Sequence, residues 1–200
     1  MPIRRIIRRS ITILLLILIT GYLGPQTFSI PVLGATNKSY HPNSFWFYPW
    51  GSSGTHKGID IFAKVGTGVV SSTAGLVVYK GTLEKGGNVI IVLGPKWRLH
   101  YYAHLKEWKV PLGRFVSPGT IIGTVGNTGN ASGKPSHLHY SISSIIPVPW
   151  RIDNSKQGWK KMFYLNPSDY LTGYPYVFVF KTIPLLSFKS LLIIDPVPYA

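Results

Sequence analysis

His137-Leu138-His139-Tyr140-Ser141-Ile142-Ser143-Ser144-Ile145 follows the glycine-rich loop Gly126 to Ser136. In an extended strand, alternate side chains share a face, so both imidazoles project side by side from one surface. Working outward, short runs of strand character recur along the chain, separated by turn residues. They are Gly58 to Phe62, Gly68 to Ser71, Gly75 to Lys80, Asn88 to Leu93, Arg98 to Leu105 and Gly119 to Val125. The third and fourth read as hairpin partners across a Gly81–Gly87 turn. With 21 glycines, 16 prolines and few long helical patterns, this predicts an all-β fold. The expected architecture is an antiparallel sheet or barrel-like sandwich, preceded by an N-terminal hydrophobic helix. No solenoid repeat is present.

A second polar pair lies in His56-Lys57-Gly58-Ile59-Asp60. At strand spacing, His56 and Asp60 face one side and Ile59 and Ile61 the other, with Gly58 leaving room for something both groups bind. Alone, such a pair is usually a structural hydrogen bond. Combined with His137 and His139 it says more. A catalytic zinc needs three protein ligands and one open position. His56, Asp60 and one of His137/His139 supply two nitrogens and an oxygen. The other histidine is then left beside the metal, available for a proton, and His104 is a second candidate for that role. His100, four residues before His104, falls on the same strand face by alternation and is expected at the strand's edge. His41 is expected to be solvated.

Other chemistries are excluded by residue type or spacing. The chain has no cysteine, so disulfides, thiolate metal sites and cysteine nucleophiles are absent. Glu84 and Glu107 stand in no His-Glu-x-x-His pattern. The loop Gly126 to Lys134 has Thr128 where a phosphate-binding loop needs its first glycine, and Pro135 where it needs a Ser or Thr. No nucleophile elbow is present.

The ends set the context. Arg4, Arg5, Arg8 and Arg9 precede an apolar run from Ile11 to Leu23, the pattern of an export signal. Positive charge stays cytoplasmic, so the chain beyond Leu23 is expected to be exported. Residues 1–24 are read as a signal peptide or membrane anchor. The anchor is favoured because Val32-Leu33-Gly34-Ala35 is a poor cleavage site. Residues 25–45 are read as a linker or irregular cover. The aromatic cluster Phe45 to Trp50 reads mostly as core, with Trp50 the best candidate for a substrate-groove lip. Residues 172–200 form an apolar tail interrupted by Lys181, Pro184 and Lys189, which makes a span improbable. The net charge is +15, with only six acidic residues, so the partner is a polyanion. Outside the cytoplasm nucleic acid is excluded in favour of an anionic cell envelope, with membrane attachment through the N-terminal helix.

His56-x-Gly58-x-Asp60, Tyr102-Ala103-His104-Leu105, and Gly126-x-Thr128-Gly129 followed by His137-Leu138-His139 together resemble the lysostaphin-type (LytM-like) zinc endopeptidases. Gly66-Thr67, Gly75-Leu76-Val77, Val116-x-x-Gly119-x-x-Ile122-Gly123 and Leu165-Asn166-Pro167 resemble that family's framework, so the likeness covers residues 46–171. The resemblance implies an antiparallel β fold with a narrow groove and one zinc ion. It implies hydrolysis of peptide cross-links or bridges in bacterial peptidoglycan, the protein being either anchored in the cytoplasmic membrane facing outward or secreted. By the same resemblance His56, Asp60 and His139 match zinc ligands, while His104 and His137 match catalytic histidines. The Lys134-Pro135-Ser136 approach and the apolar tail depart from the family pattern. The alternative is a non-catalytic wall-binding or hydrolase-activating module of the same fold.

Overall fold

A computed structural model describes residues 2–171; the apolar tail lies outside them. The strands are β1 (Ile59–Phe62), β2 (Gly68–Val70), β3 (Gly75–Leu83), β4 (Gly87–Gly94), β5 (Arg98–Trp108), β6 (Phe115–Val116), β7 (Ile121–Val125), β8 (His137–Ser144) and β9 (Tyr164–Leu165). All ladders are antiparallel, in the order β1-β8-β5-β4-β3-β6, with β7 joining β2 to β5 and β9 flanking β8. The sheet is not closed into a barrel. The β3–β4 hairpin is tighter than expected, because both strands run on to Leu83 and Gly87.

β5 is the axis. Its first half lies between β4 and β8, with Tyr102 opposite Tyr140 and Ala103 opposite His139. Its far end switches to β7, with Leu105 opposite Val125. Alternation sorts the side chains of the central strands. Leu138, Tyr140, Ile142 and Tyr102 are fully buried with Ile59 and Ile61 in one apolar core. His137, His139 and Ser141 of β8, with Tyr101 of β5, line the opposite, open face. The period-two rule therefore delivers core and groove from the same strands.

His100 belongs to the core face, which corrects its expected place at a strand edge. It is fully buried, its Nδ1 lies 2.7 Å from the Tyr140 hydroxyl and its Nε2 3.3 Å from the Gln26 side chain. Burial, and then the charge of Arg98, lower its pKa to about 3, so it is neutral in the folded chain at pH 7.

Residues 25–45 cover the sheet and pack into it. Val32 and Tyr40 are buried in the core cluster, Val32 bridges to Val69, and Phe28 and Ile30 pack alongside. A unit beginning at residue 46 would cut through this packing. In the aromatic cluster Phe45 to Trp50, only Trp46 is buried; Phe47, Tyr48 and Trp50 are exposed. The expectation that most of these rings are core is thus corrected. The segment is held at its backbone, by Trp46 N–H to His56 O and His56 N–H to Phe47 O, and the Trp50 ring stacks on His56.

Helix α1 (Pro2–Leu23) carries the apolar run. It is long and apolar enough to cross a membrane, and its apolar side chains are exposed. Near its end the Trp97 indole N–H donates to Leu18 O at 2.9 Å. A side chain at Gly21 would lie 2.5 Å from the Trp97 ring, so glycine permits this contact.

Candidate metal centre

Three of the side chains nominated from the sequence converge on one point. His56 Nε2 lies 3.2 Å from Asp60 Oδ1 and 3.2 Å from His139 Nδ1, and His139 Nδ1 lies 2.8 Å from the same oxygen. Tetrahedral zinc with bonds of about 2.0–2.1 Å sets its ligand atoms about 3.3 Å apart. The donor set and its spacing fit that ion, with small outward movements of His139. Antiparallel pairing of β1 and β8 makes the convergence, because Asp60 and His139 are register partners. His56 precedes β1 and is placed by the Phe45–Trp50 segment.

Gly58 has a role other than the one expected. A Cβ there would meet Tyr140 O at 2.4 Å and His139 Cε1 at 3.0 Å. The missing side chain makes room for β8, which is how His139 comes within reach of Asp60, and not for a ligand.

Burial would push the Asp60 carboxyl up. Hydrogen bonds from His139 and His56 outweigh it and hold Asp60 well below the ordinary carboxylate range. Burial lowers the His139 pKa, against the pull of Asp60. The site therefore pairs an ionised carboxylate with a neutral His139, the protonation states that metal binding requires.

His104 and His137 stand beside these three. Their rings are 5.0 Å apart, and His137 Nε2 is 3.9 Å from Asp60 Oδ1. Each donates its Nδ1–H to a backbone carbonyl: His104 to Thr128 O and His137 to Pro135 O, both at 2.8 Å. That leaves Nε2 of each unprotonated when the ring is neutral. His56 Nδ1 is held the same way by Ser44 O at 3.0 Å. Burial first, then the neighbouring His139, lower the His104 pKa to about 4.

His104 reaches the groove only through a break in strand regularity. By alternation it would join His100 and Tyr102 in the core. Instead β5 has one extra residue against β4 between the Ile90–Tyr102 and Asn88–Leu105 pairs, and His104 sits there at φ +63°. Such a bulge re-aims one side chain. The assumption that His100 and His104 share a face is corrected by this feature.

The groove around the centre encloses about 840 Å³. Trp50 lines it and stacks on His56, ring centroids 4.1 Å apart at 26°. Tyr101 and Tyr164 also line it, with both phenol pKa values raised by burial. Sequence reading missed the carbonyls of Ser44, Thr128 and Pro135 as orienting groups. It also missed Lys57, Lys85 and Lys134 as part of the groove.

The sequence pattern described as Peptidase family M23 matches residues 54–150, which contain the three converging residues and both neighbouring histidines. Residues 54–150 thus form a peptidase family M23 domain. The chain is 35% identical over 146 residues to the L-Ala–D-Glu endopeptidase of Bacillus subtilis, covering 68% of this chain and 41% of that protein. It is 36% identical over 96 residues to lysostaphin of Staphylococcus simulans, covering 46% of this chain and 19% of that protein. The chain thus spans well under half the length of these relatives. Among solved structures, the catalytic domain of lysostaphin from Staphylococcus simulans aligns with TM-score 0.52 and 28% identity. That alignment covers 65% of this chain and 90% of that one.

Proposed function

We propose that this chain is a zinc-dependent endopeptidase that hydrolyses peptide cross-links or bridges of bacterial peptidoglycan at the outer side of the cytoplasmic membrane. One observation carries the reading: a His, Asp, His set at 2.8–3.2 Å has two further histidines beside it whose free nitrogens remain available. His56, Asp60 and His139 are the proposed zinc ligands, and His104 and His137 the proposed catalytic residues. Zinc, when bound, supplies Lewis acidity that polarises a carbonyl and acidifies water.

The chain's own residues do the rest. The Ser44 carbonyl fixes the His56 tautomer so that Nε2 carries the lone pair. His104 is neutral at pH 7, so its Nε2 accepts a proton from attacking water or, once protonated, donates to the developing oxyanion. His137 Nε2 is oriented for the same exchange by the Pro135 carbonyl. Trp50 covers the outer face of His56 and is the proposed substrate contact. The Bacillus subtilis relative is named as an endopeptidase, by the bond it cuts.

The test is digestion of purified cell walls by the zinc-loaded chain. Release of cross-linked peptides that stops on chelation supports the reading. Intact walls with tightly bound zinc contradict it and point to the non-catalytic wall-binding alternative.

A further inference from the structure

The groove carries charge that the metal centre and its histidines do not use. Lys57, Lys85 and Lys134 all line it. They come from three separate pieces of chain: the approach to β1, the turn of the β3–β4 hairpin, and the loop before β8. Among the described residues, the one carboxylate lining the groove is Asp60, and its oxygen is engaged by His56 and His139. Glu84, next to Lys85, does not line it. The lysine ion pairs among the described residues are Lys109 with Glu107 and Lys161 with Asp153, so none of the three is paired with a carboxylate among those residues.

The Lys57 ammonium is positioned by backbone, donating to Ser53 O at 3.0 Å and Thr55 O at 3.3 Å. The Lys85 backbone is fixed too, its carbonyl accepting from Asn130 N–H at 3.0 Å. The side chains of Lys85 and Lys134 are exposed. Like charges gathered around one cleft repel one another, and an anion entering the cleft relieves that repulsion.

We infer that the groove selects peptides carrying free carboxylates over uncharged ones such as glycine bridges, and that Lys57, Lys85 and Lys134 determine this specificity. The inference rests on the reading of the chain as a hydrolase. Carboxylates on a bound peptide replace the missing counter-ions.

The test uses the full chain in detergent, loaded with zinc, and two peptides identical in sequence and scissile bond. One keeps its carboxylates and the other has them amidated. The expected kcat/KM is about tenfold higher for the carboxylate form, the combined effect of two or three partly exposed ion pairs. KM carries the difference, and it shrinks as the Debye length falls from about 10 Å at 0.1 M salt to about 3 Å at 1 M. Lys57→Gln, Lys85→Gln and Lys134→Gln together bring the ratio near one. The Lys85→Gln, Lys134→Gln double variant, at exposed positions, lowers it about threefold on the same reasoning. Equal rates on both peptides, or a preference untouched by these substitutions, overturn the inference and leave the hydrolase reading standing. No cleavage of either peptide or of peptidoglycan overturns both.

Discussion

At His104 the backbone takes a left-handed conformation that costs a non-glycine residue about 1–3 kcal/mol, and the surrounding hydrogen bonds hold it there. Its backbone N–H bonds Gly86 O and its ring bonds Thr128 O, both at 2.8 Å. The division between His137 and His139 is equally local. One holds its Nδ1 to its own loop's carbonyl, and the other turns Nδ1 to Asp60. His139→Ala is therefore expected to lose equimolar zinc in metal analysis. His137→Ala is expected to keep zinc and lose turnover by about 10²–10⁴-fold.

The five proposed site residues could be nominated from the sequence because their side chains are chemically distinctive. Ser44, Thr128 and Pro135 were not, because they act through carbonyls that any residue supplies. His100 makes a separate prediction. Its folded pKa is about 3 against 6.5 when unfolded. As pH falls through that window the unfolded chain takes up a proton that the folded chain refuses, so stability is lost from about pH 6.5 down to about 3 and levels off below. His100→Gln should remove about 1.4 kcal/mol per pH unit of that slope in denaturant titrations. Parallel curves for the two proteins would contradict it.

At the scale of elements, the alternation of β8 was readable from its sequence, and the antiparallel register then brings Asp60 opposite His139. The bulge in β5 was not readable, since nothing in Tyr102-Ala103-His104-Leu105 marks an extra residue; it arises from pairing with β4. The glycine-rich loop was read as turns delivering His137, and it also holds His104. Thr128 Oγ1 accepts from Asn88 N–H at 2.9 Å and donates to Leu105 O at 3.0 Å, tying the loop to both β4 and β5. This junction needs two glycines in close approach. Gly129 has φ +69°, and a Cβ there would lie 2.3 Å from Gly87 N. Gly129→Ala should cost about 1–3 kcal/mol of unfolding free energy. It should also lower kcat more than zinc affinity, because it displaces the carbonyl that aims His104. Unchanged stability and turnover would show that the junction is unimportant.

For the molecule as a whole, the fold class followed from short strands and turns, whereas the choice of sheet over barrel and of cover over linker for residues 25–45 did not. Polar, turn-rich composition in that segment hides Val32 and Tyr40, which supply core contacts from an irregular backbone. Helix α1 passes the length and composition test for a membrane span over Ile3–Leu23, although its uninterrupted apolar run, Ile11 to Leu23, is shorter than a hydrocarbon core of about 30 Å. We propose that it anchors the chain, with the arginines on the cytoplasmic side. Membranes carrying the full chain should retain it through an alkaline wash and release it into detergent. Release by the wash alone would exclude a span.

The central claim is that peptide-bond hydrolysis takes place at this centre. The most direct measurement is mass spectrometry of peptidoglycan treated with the zinc-loaded chain, beside zinc-loaded His137→Ala. The account predicts peptides with new amino termini, each cleavage adding one water, from the first protein and not from the second. New termini in equal yield from both, or none from a chain holding equimolar zinc, would contradict it.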